Sequence, residues 1–404
     1  MPTPLRSLTT ALLALLLATP AAAQPWARPD SSLTLMLMGD VLGHGSQLRC
    51  ALQPDGSYSY RRTFAPIEDV FALADFVIAN LEVPLAGPPY AGYPSFSSPD
   101  ALAQHLQQAG VDVLVTANNH ALDQGSRGLY RTSRTLDSLG IAHTGTAHNP
   151  QAHAANSPLM LRHNGIAVAL LSYTTCMNGP TRHLPAHAVN MADTARIRAD
   201  YRRAMAQGAD VVLMFMHWGE EYERTENSSQ RRLAEWLHRL GIALVVGCHP
   251  HVVQPLHLST NRQQATVYSL GNFVSNQRWR YSDGGLVVLL RLERNGGQVR
   301  LTHGASVPVW VAAPLRNGVK DFRVWPVYKA EATGERFGAE HTDFVRFAAD
   351  TRRLLDSAGH GFPELRYDAF MRSWVLPWQT ERHIVPVSTA PLPLPAHTPR
   401  PPLR

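Results

Sequence analysis

Lysine is almost missing from this 404-residue chain: Lys320 and Lys329 are its only two, although Lys and Arg together number 37. The positive charge is therefore scattered arginine, with no basic block to follow a nucleic-acid backbone, and nucleic acid is not an expected partner. The net charge of +6 is a weak lean toward an anionic substrate, secondary to a general preference for Arg. Cysteine is scarce as well. Cys50, Cys176 and Cys248 are too few for a disulfide framework, their odd number leaves at least one thiol unpaired, and no C-x-x-C spacing supports a thiolate zinc site. No segment approaches the ~20 continuous apolar residues of a membrane helix. A G-x-S-x-G elbow, a Walker A loop and an H-E-x-x-H pair are all missing, and Gly39 to Gly45 lacks the spacing of a dinucleotide loop.

What is present begins with an export signal at residues 1–23. Arg6 gives a positive start, Ala11 to Ala18 an apolar run, and Ala21-Ala22-Ala23 before Gln24 a cleavage site; no Cys follows it to carry a lipid. The expectation is an exported protein, periplasmic or extracellular, with no membrane span after cleavage. The remaining chain is 45% hydrophobic, which excludes disorder. A helix, a Gly stop and a short apolar run recur: Leu102 to Gly110 then Val111 to Val115, Arg202 to Gly208 then Val211 to Met216, and Leu233 to Gly241 then Ile242 to Val246. Further strands are expected at Leu33 to Met38, Phe76 to Ala79, Ala167 to Tyr173 and Val267 to Leu270. Strands apolar on both faces that alternate with helices predict an α/β fold with a largely parallel, buried sheet. After Gly285 the alternating segments Leu286 to Leu292 and Val299 to His303 suit antiparallel strands closing a second sheet, and a helix is expected near Thr342 to Ser357. The expected division is a main domain over residues 30–310, an extension over 311–383, and a Pro-rich disordered tail over 384–404.

Nearly every apolar run ends in polar side chains suited to metals or anions. These are Asp40, then Asn80 and Glu82, then Asn118, Asn119 and His120 with Asp123, then His217, then His249 and His251, then Asn272. Ligands of open α/β sheets bind at the carboxyl ends of the strands, so these residues should face one crevice. His249-Pro250-His251 reads as an extended pair sending both imidazoles the same way. With Asp40, Glu82, Asn119 and His217 it forms a mixed N/O set for one or two divalent ions of the Mn, Fe or Zn kind. Two such ions would lower the pKa of a bridging water and clamp a developing oxyanion. Each motif alone has a plainer reading. Asn118 and Asn119 suit a cap for a helix starting near Leu122 and Asp40 suits a turn, while His105, His143, His148, His153, His163, His183, His187 and His257 read as surface or core residues.

These phrases, in this order over roughly residues 33 to 290, resemble the CapA family of capsule-synthesis proteins, linked to poly-gamma-glutamate production and to the calcineurin-like metallophosphatases. The matching segments are Met38-Gly39-Asp40, Asp75 to Glu82, Ala117 to His120 through Asp123 and Gly125, His217 to Tyr222, Gly247 to Val252, and Tyr268 to Phe273. The resemblance implies a layered αββα sandwich of two facing mixed sheets. It implies that Asp40 and His251 hold one ion, that Asn119, His217 and His249 hold another, and that Glu82 bridges them. It further implies His120 as general acid oriented by Asp123, and substrate contacts from Asn118, Glu221, Tyr222 and Asn272. The implied chemistry is attack by metal-bound hydroxide on a phosphoester or related bond of an anionic polymer, with capsule-assembly proteins as partners. One departure stands out: the metallophosphatase pattern Asp-x-His puts its His at Leu42, and His44 lies two residues beyond. A non-catalytic, polymer-binding or export component of the capsule machinery is the alternative.

Overall fold

The protein was analysed as a computed structural model that describes residues 31–358 and 361–378; the expected export signal and Pro-rich tail lie outside them. The strands in chain order begin with β1 (Ser31–Val41), β2 (Phe76–Leu81), β3 (Val113–Val115), β4 (Ala142–Thr144), β5 (Leu159–His163), β6 (Ile166–Thr174) and β7 (Val211–His217). They continue with β8 (Leu244–Cys248), β9 (Leu256–Leu258), β10 (Ala265–Val267), β11 (Asn272–Val274), β12 (Gly284–Asn295) and β13 (Gln298–Ala312). One sheet runs β13-β12-β1-β2-β3-β4, with a further strand, Arg323–Pro326, beyond β13 and with β11 beside the end of β1. The other runs β5-β6-β7-β8-β10-β9. Both are mixed: β1 to β4 are mutually parallel, as are β6, β7, β8 and β10, while β12, β13, β5 and β9 pair antiparallel.

The period-2 alternation of side chains explains how a mostly apolar strand serves two cores. Leu33, Leu35 and Leu37 of β1 point between the sheets, meeting Leu170, Leu213 and Val246 of the other sheet. Met36 and Met38 point outward and pack under Leu102 and Leu106 of the helix Ala101–Ala109. The second sheet buries Ala169, Met214 and Val245 under the helices Thr194–Ala206 and Ser228–Leu240. The result is the expected layering of helices, sheet, sheet and helices. The expected stops are real: Gly110, Gly208 and Gly241 have φ of +116, +81 and +109°, the left-handed turn a helix end favours.

Two expectations are corrected. β12 and β13 do not close the second sheet; β12 pairs antiparallel with β1 and so extends the first. The cause is a crossing of the chain between sheets. β10 ends at Val267 rather than Leu270, and the chain then crosses so that Asn272 pairs with Asp40 and Gly271 bridges Gly285, which starts β12 along the open edge of β1. The approach demands glycine: a Cβ on Gly285 would lie 2.5 Å from Asn272 O.

Just before β12, burial raises the Asp283 carboxyl to about 7, and its Oδ1 has no hydrogen-bond partner. A raised folded-state pKa means the native state binds more protons than the unfolded one, so stability falls as pH climbs between about 4 and 7. Asp283→Asn should remove a loss of up to roughly 1.4 kcal/mol per pH unit in that window. Denaturant melts of both proteins at pH 5 and pH 8 check this; an equal pH dependence contradicts it.

Candidate metal centre

The carboxyl ends of β1, β2, β3, β7 and β8 converge on one buried cluster. β1 and β2 deliver Asp40 opposite Asn80, with an irregularity between Met38 and Asp40 where Gly39 sits. A Cβ on Gly39 would meet Gly271 O at 1.9 Å, so only glycine lets β11 close over this turn. Asp40 and Glu82 are both wholly buried. Asn80 Nδ2 donates to Asp40 Oδ1 at 2.7 Å, and Asn118 Nδ2 donates to Leu81 O at 2.8 Å and to Asn80 Oδ1 at 3.2 Å. Asn118 and Asn119 therefore do not cap a helix; the next helix, Gly125–Ser138, has Gln124 at its N-cap.

From the second sheet, β7 ends on His217, whose Nε2 lies 2.8 Å from Asn119 Oδ1 and 3.4 Å from Glu82 Oε1. Since that nitrogen is already aimed at Asn119, Glu82 Oε1 has no hydrogen-bond partner of its own. β8 ends one residue before His249. The expected extended His249–His251 pair is instead a sharp bend: φ is +101° at His249 and +58° at His251. The bend wraps the chain around Asp40 Oδ2, 3.4 Å from the His249 N–H and 3.1 Å from His251 Nδ1. Such strain in non-glycine residues is characteristic of functional sites.

The electrostatics fit a cation. Burial works to raise the Asp40 carboxyl, but the hydrogen bond and charge of His251, with His217 and Asn80, hold it well below the usual range. Glu82 goes the other way, pushed far up by burial and by the charge of Asp40. His217 is driven far below its ordinary value by burial and by His249, and His249 falls to about 4 through burial and His251. Neutral imidazoles beside a carboxylate short of positive charge are the donor set a divalent ion requires. Ligand atoms of Asp40, Glu82 and His217 lie within 4.8 Å of one another, as do those of Cys176, His217 and His249. Residue types, the orphaned Glu82 oxygen and the spacing all fit.

Around this cluster, His120 Nδ1 faces Asp123 Oδ2 at 2.8 Å, and Asp123 is itself held by the Phe96 N–H at 2.8 Å. The His120 ring stands edge-on to Phe96 at 4.8 Å between centroids. Tyr222, with φ +69°, lies 6.0 Å from the His251 ring and 5.1 Å from the Trp279 ring, both centroid to centroid. Glu221 is exposed beside it and acts electrostatically on His249 and Glu82. Asn272 gives its amide hydrogens to Gln277 Oε1 at 2.8 Å and Ser282 O at 2.7 Å, and Gln277 in turn donates to the Tyr222 hydroxyl at 3.2 Å. Asn272 thus braces the loop that supports Tyr222. Leu42 is buried in the apolar core, and His44 Nδ1 accepts from the Asn276 N–H at 3.3 Å and lies 3.2 Å from Gln47 Oε1, so neither completes the Asp40 half of the centre. Sequence reasoning passed over Cys176 and the positioning roles of Asn80 and Gln277.

Because burial and Asp40 disfavour an ionised Glu82, Glu82→Gln should melt higher than the parent at pH 8 in chelator. Added divalent cation should then raise the melting temperature of the parent by more than that of the variant. Thermal scans with and without metal check both signs; a variant that melts lower in chelator contradicts the first.

The family description "Bacterial capsule synthesis protein PGA_cap" matches residues 34–277. The chain is 26% identical over 279 residues to the "Capsule biosynthesis protein CapA" of Bacillus anthracis, covering 67% of this chain and 66% of that one, so it spans just under two thirds of that relative. It is 28% identical to the "PGA biosynthesis protein CapA" of Bacillus subtilis, covering 66% and 70% of the two chains. Among solved structures, a 5′-nucleotidase precursor from Thermus thermophilus aligns at TM-score 0.41 and 16% identity over 68% of this chain and 54% of that one. The calcineurin-like phosphoesterase YfkN from Bacillus subtilis aligns at TM-score 0.41 and 11% identity over 80% and 97%. On the extent of the family match, this chain belongs to the bacterial capsule synthesis PGA_cap family.

Proposed function

We propose that this protein is an exported, metal-dependent hydrolase of capsule or exopolymer synthesis, acting on a phosphoester or related bond of an anionic polymer. The relatives named for capsule and PGA biosynthesis support the setting. The observation that carries the chemistry is the buried Glu82 oxygen left without a partner among Asp40, His217 and the other strand-end donors. Asp40, Glu82, Asn119, His217, His249 and His251 would hold one or two divalent ions. When bound, such ions supply Lewis acidity toward the scissile group and ready a water for attack.

The remaining work falls to the chain itself. Asp123 would accept from Nδ1–H of His120 and fix the ring's orientation, and from the imidazolium form, with both ring nitrogens protonated, Nε2–H would give the proton to a leaving oxygen. Tyr222, 39% exposed, and Trp279, 53% exposed, form an aromatic wall for the part of the substrate outside the metal centre. Export rests on the amino-terminal signal. The second reading, a polymer-binding component without turnover, is favoured by one observation: apolar Leu42 and the diverted His44 leave the Asp40 half short of a ligand.

His120→Ala should lower kcat by about 10²–10⁴-fold on an alkyl phosphoester and far less on a p-nitrophenyl ester, whose leaving group needs no proton. His249→Ala should lose metal and both activities while keeping the fold. Hydrolysis assays with metal analysis decide: undiminished turnover by chelator-stripped protein overturns the metal-dependent reading, and metal uptake without turnover supports the binding reading.

A further inference from the structure

We propose that Cys176 ligates the cation held by His217 and His249, making this half of the centre a thiophilic, zinc-preferring site; this rests on the metal-dependent reading above. Cys176 follows the end of β6, which lies beside β7 with Thr174 opposite His217. Thr174 Oγ1 donates to Cys176 O at 2.7 Å and accepts from the Cys176 N–H at 3.3 Å, while the Thr175 N–H donates to His217 O at 2.9 Å. These bonds tie the turn to the strand that carries His217, so the thiol is held against the centre by backbone.

Sγ lies 3.9 Å from His249 Nε2, and the ligand atoms of Cys176, His217 and His249 all fall within 4.8 Å of one another. A tetrahedral ion with Zn–S of about 2.3 Å and Zn–N of about 2.0–2.1 Å separates its S and N ligands by roughly 3.6 Å, so a small adjustment suffices. A further observation points to a ligand here: the wholly buried Glu82 Oε1 has no hydrogen-bond partner and stands 3.4 Å from His217 Nε2. With Glu82 or Asn119 as the fourth donor, the set becomes S, N, N, O. A thiolate in such a set selects softer ions over Mg or Mn. Without an ion, burial and the nearby Glu221 and Glu220 raise the thiol above its ordinary range, so it stays protonated. On binding, the S–H bond breaks, the sulfur lone pair forms the metal bond, and the proton leaves to solvent.

The test uses the full chain, stripped with chelator and reloaded with Co²⁺ as a spectroscopic probe. The parent should show a near-ultraviolet thiolate-to-cobalt charge-transfer band. Cys176→Ser should keep its cobalt but lose the band, and should bind zinc at least about tenfold more weakly, the low end for removing even an outer partner of a ligand. Cys50→Ser should keep the band. As a measurement on unsubstituted protein, zinc should slow alkylation of Cys176 by iodoacetamide. Bound cobalt without a band in the parent, a band that survives in Cys176→Ser, or alkylation unchanged by zinc overturns the ligand assignment alone. No cobalt uptake by the parent overturns the metal-dependent reading itself.

Discussion

Two carboxylates buried in one cluster cannot both hold a negative charge unless positive charge is brought to them. Asp40 and Glu82 are each wholly buried, and removing one unpaired ion from water costs on the order of several kcal/mol. His251 and Asn80 satisfy Asp40. Glu82 receives a long contact from Asn80, at 3.5 Å, and its other oxygen, 3.4 Å from His217 Nε2, has no hydrogen bond. The histidines that could neutralise it, His217 and His249, are themselves pressed toward the neutral form by burial. A divalent ion relieves all of these at once, since it prefers the ionised acids and the uncharged imidazoles. Two carboxylates buried side by side are costly to keep ionised unless a cation is held between them.

The two sheets exist, in this respect, to bring donors from distant parts of the chain to one place. β1, β2 and β3 present Asp40, Glu82 and Asn119 from one sheet, and β7 and β8 present His217 and His249 from the other. The close approach is built from absent side chains. A Cβ on Gly39 would meet Gly271 O at 1.9 Å, and one on Gly247 would meet Tyr268 O at 2.0 Å and Trp218 Nε1 at 2.2 Å. The positive φ at His249 and His251 is strain that this packing holds in place.

Much of this was legible in the sequence because its causes are local. An amphipathic helix, a Gly stop and an apolar strand follow from residue order, and polar residues at the ends of such strands mark the ligand-binding edge of an α/β sheet. Asp40, Glu82, Asn119, His217, His249 and His251 were found by that logic, and they do meet. What escaped was set by pairing between distant segments. Nothing local says that β12 joins the open edge of β1, because the crossing at Gly271 depends on β11 docking beside Asp40. The bend at His249 and His251 comes from wrapping Asp40, not from any propensity of the tripeptide. Asn272 reads as a cleft residue, and pairing adds what local order does not show: its amide N–H groups go to Gln277 and Ser282 while its buried Oδ1 has no hydrogen-bond partner. Cys176 was dismissed for want of a C-x-x-C neighbour, a rule blind to a thiol whose companions lie 41 and 73 residues away (217 − 176 and 249 − 176).

Anomalous X-ray scattering, recorded at the absorption edge of the ion from crystals grown with zinc or manganese, tests the central claim most directly. The expected map has its strongest peak among the side chains of Asp40, Glu82, His217 and His249. A map with no peak there, or with peaks only at exposed carboxylates and imidazoles elsewhere on the surface, contradicts it.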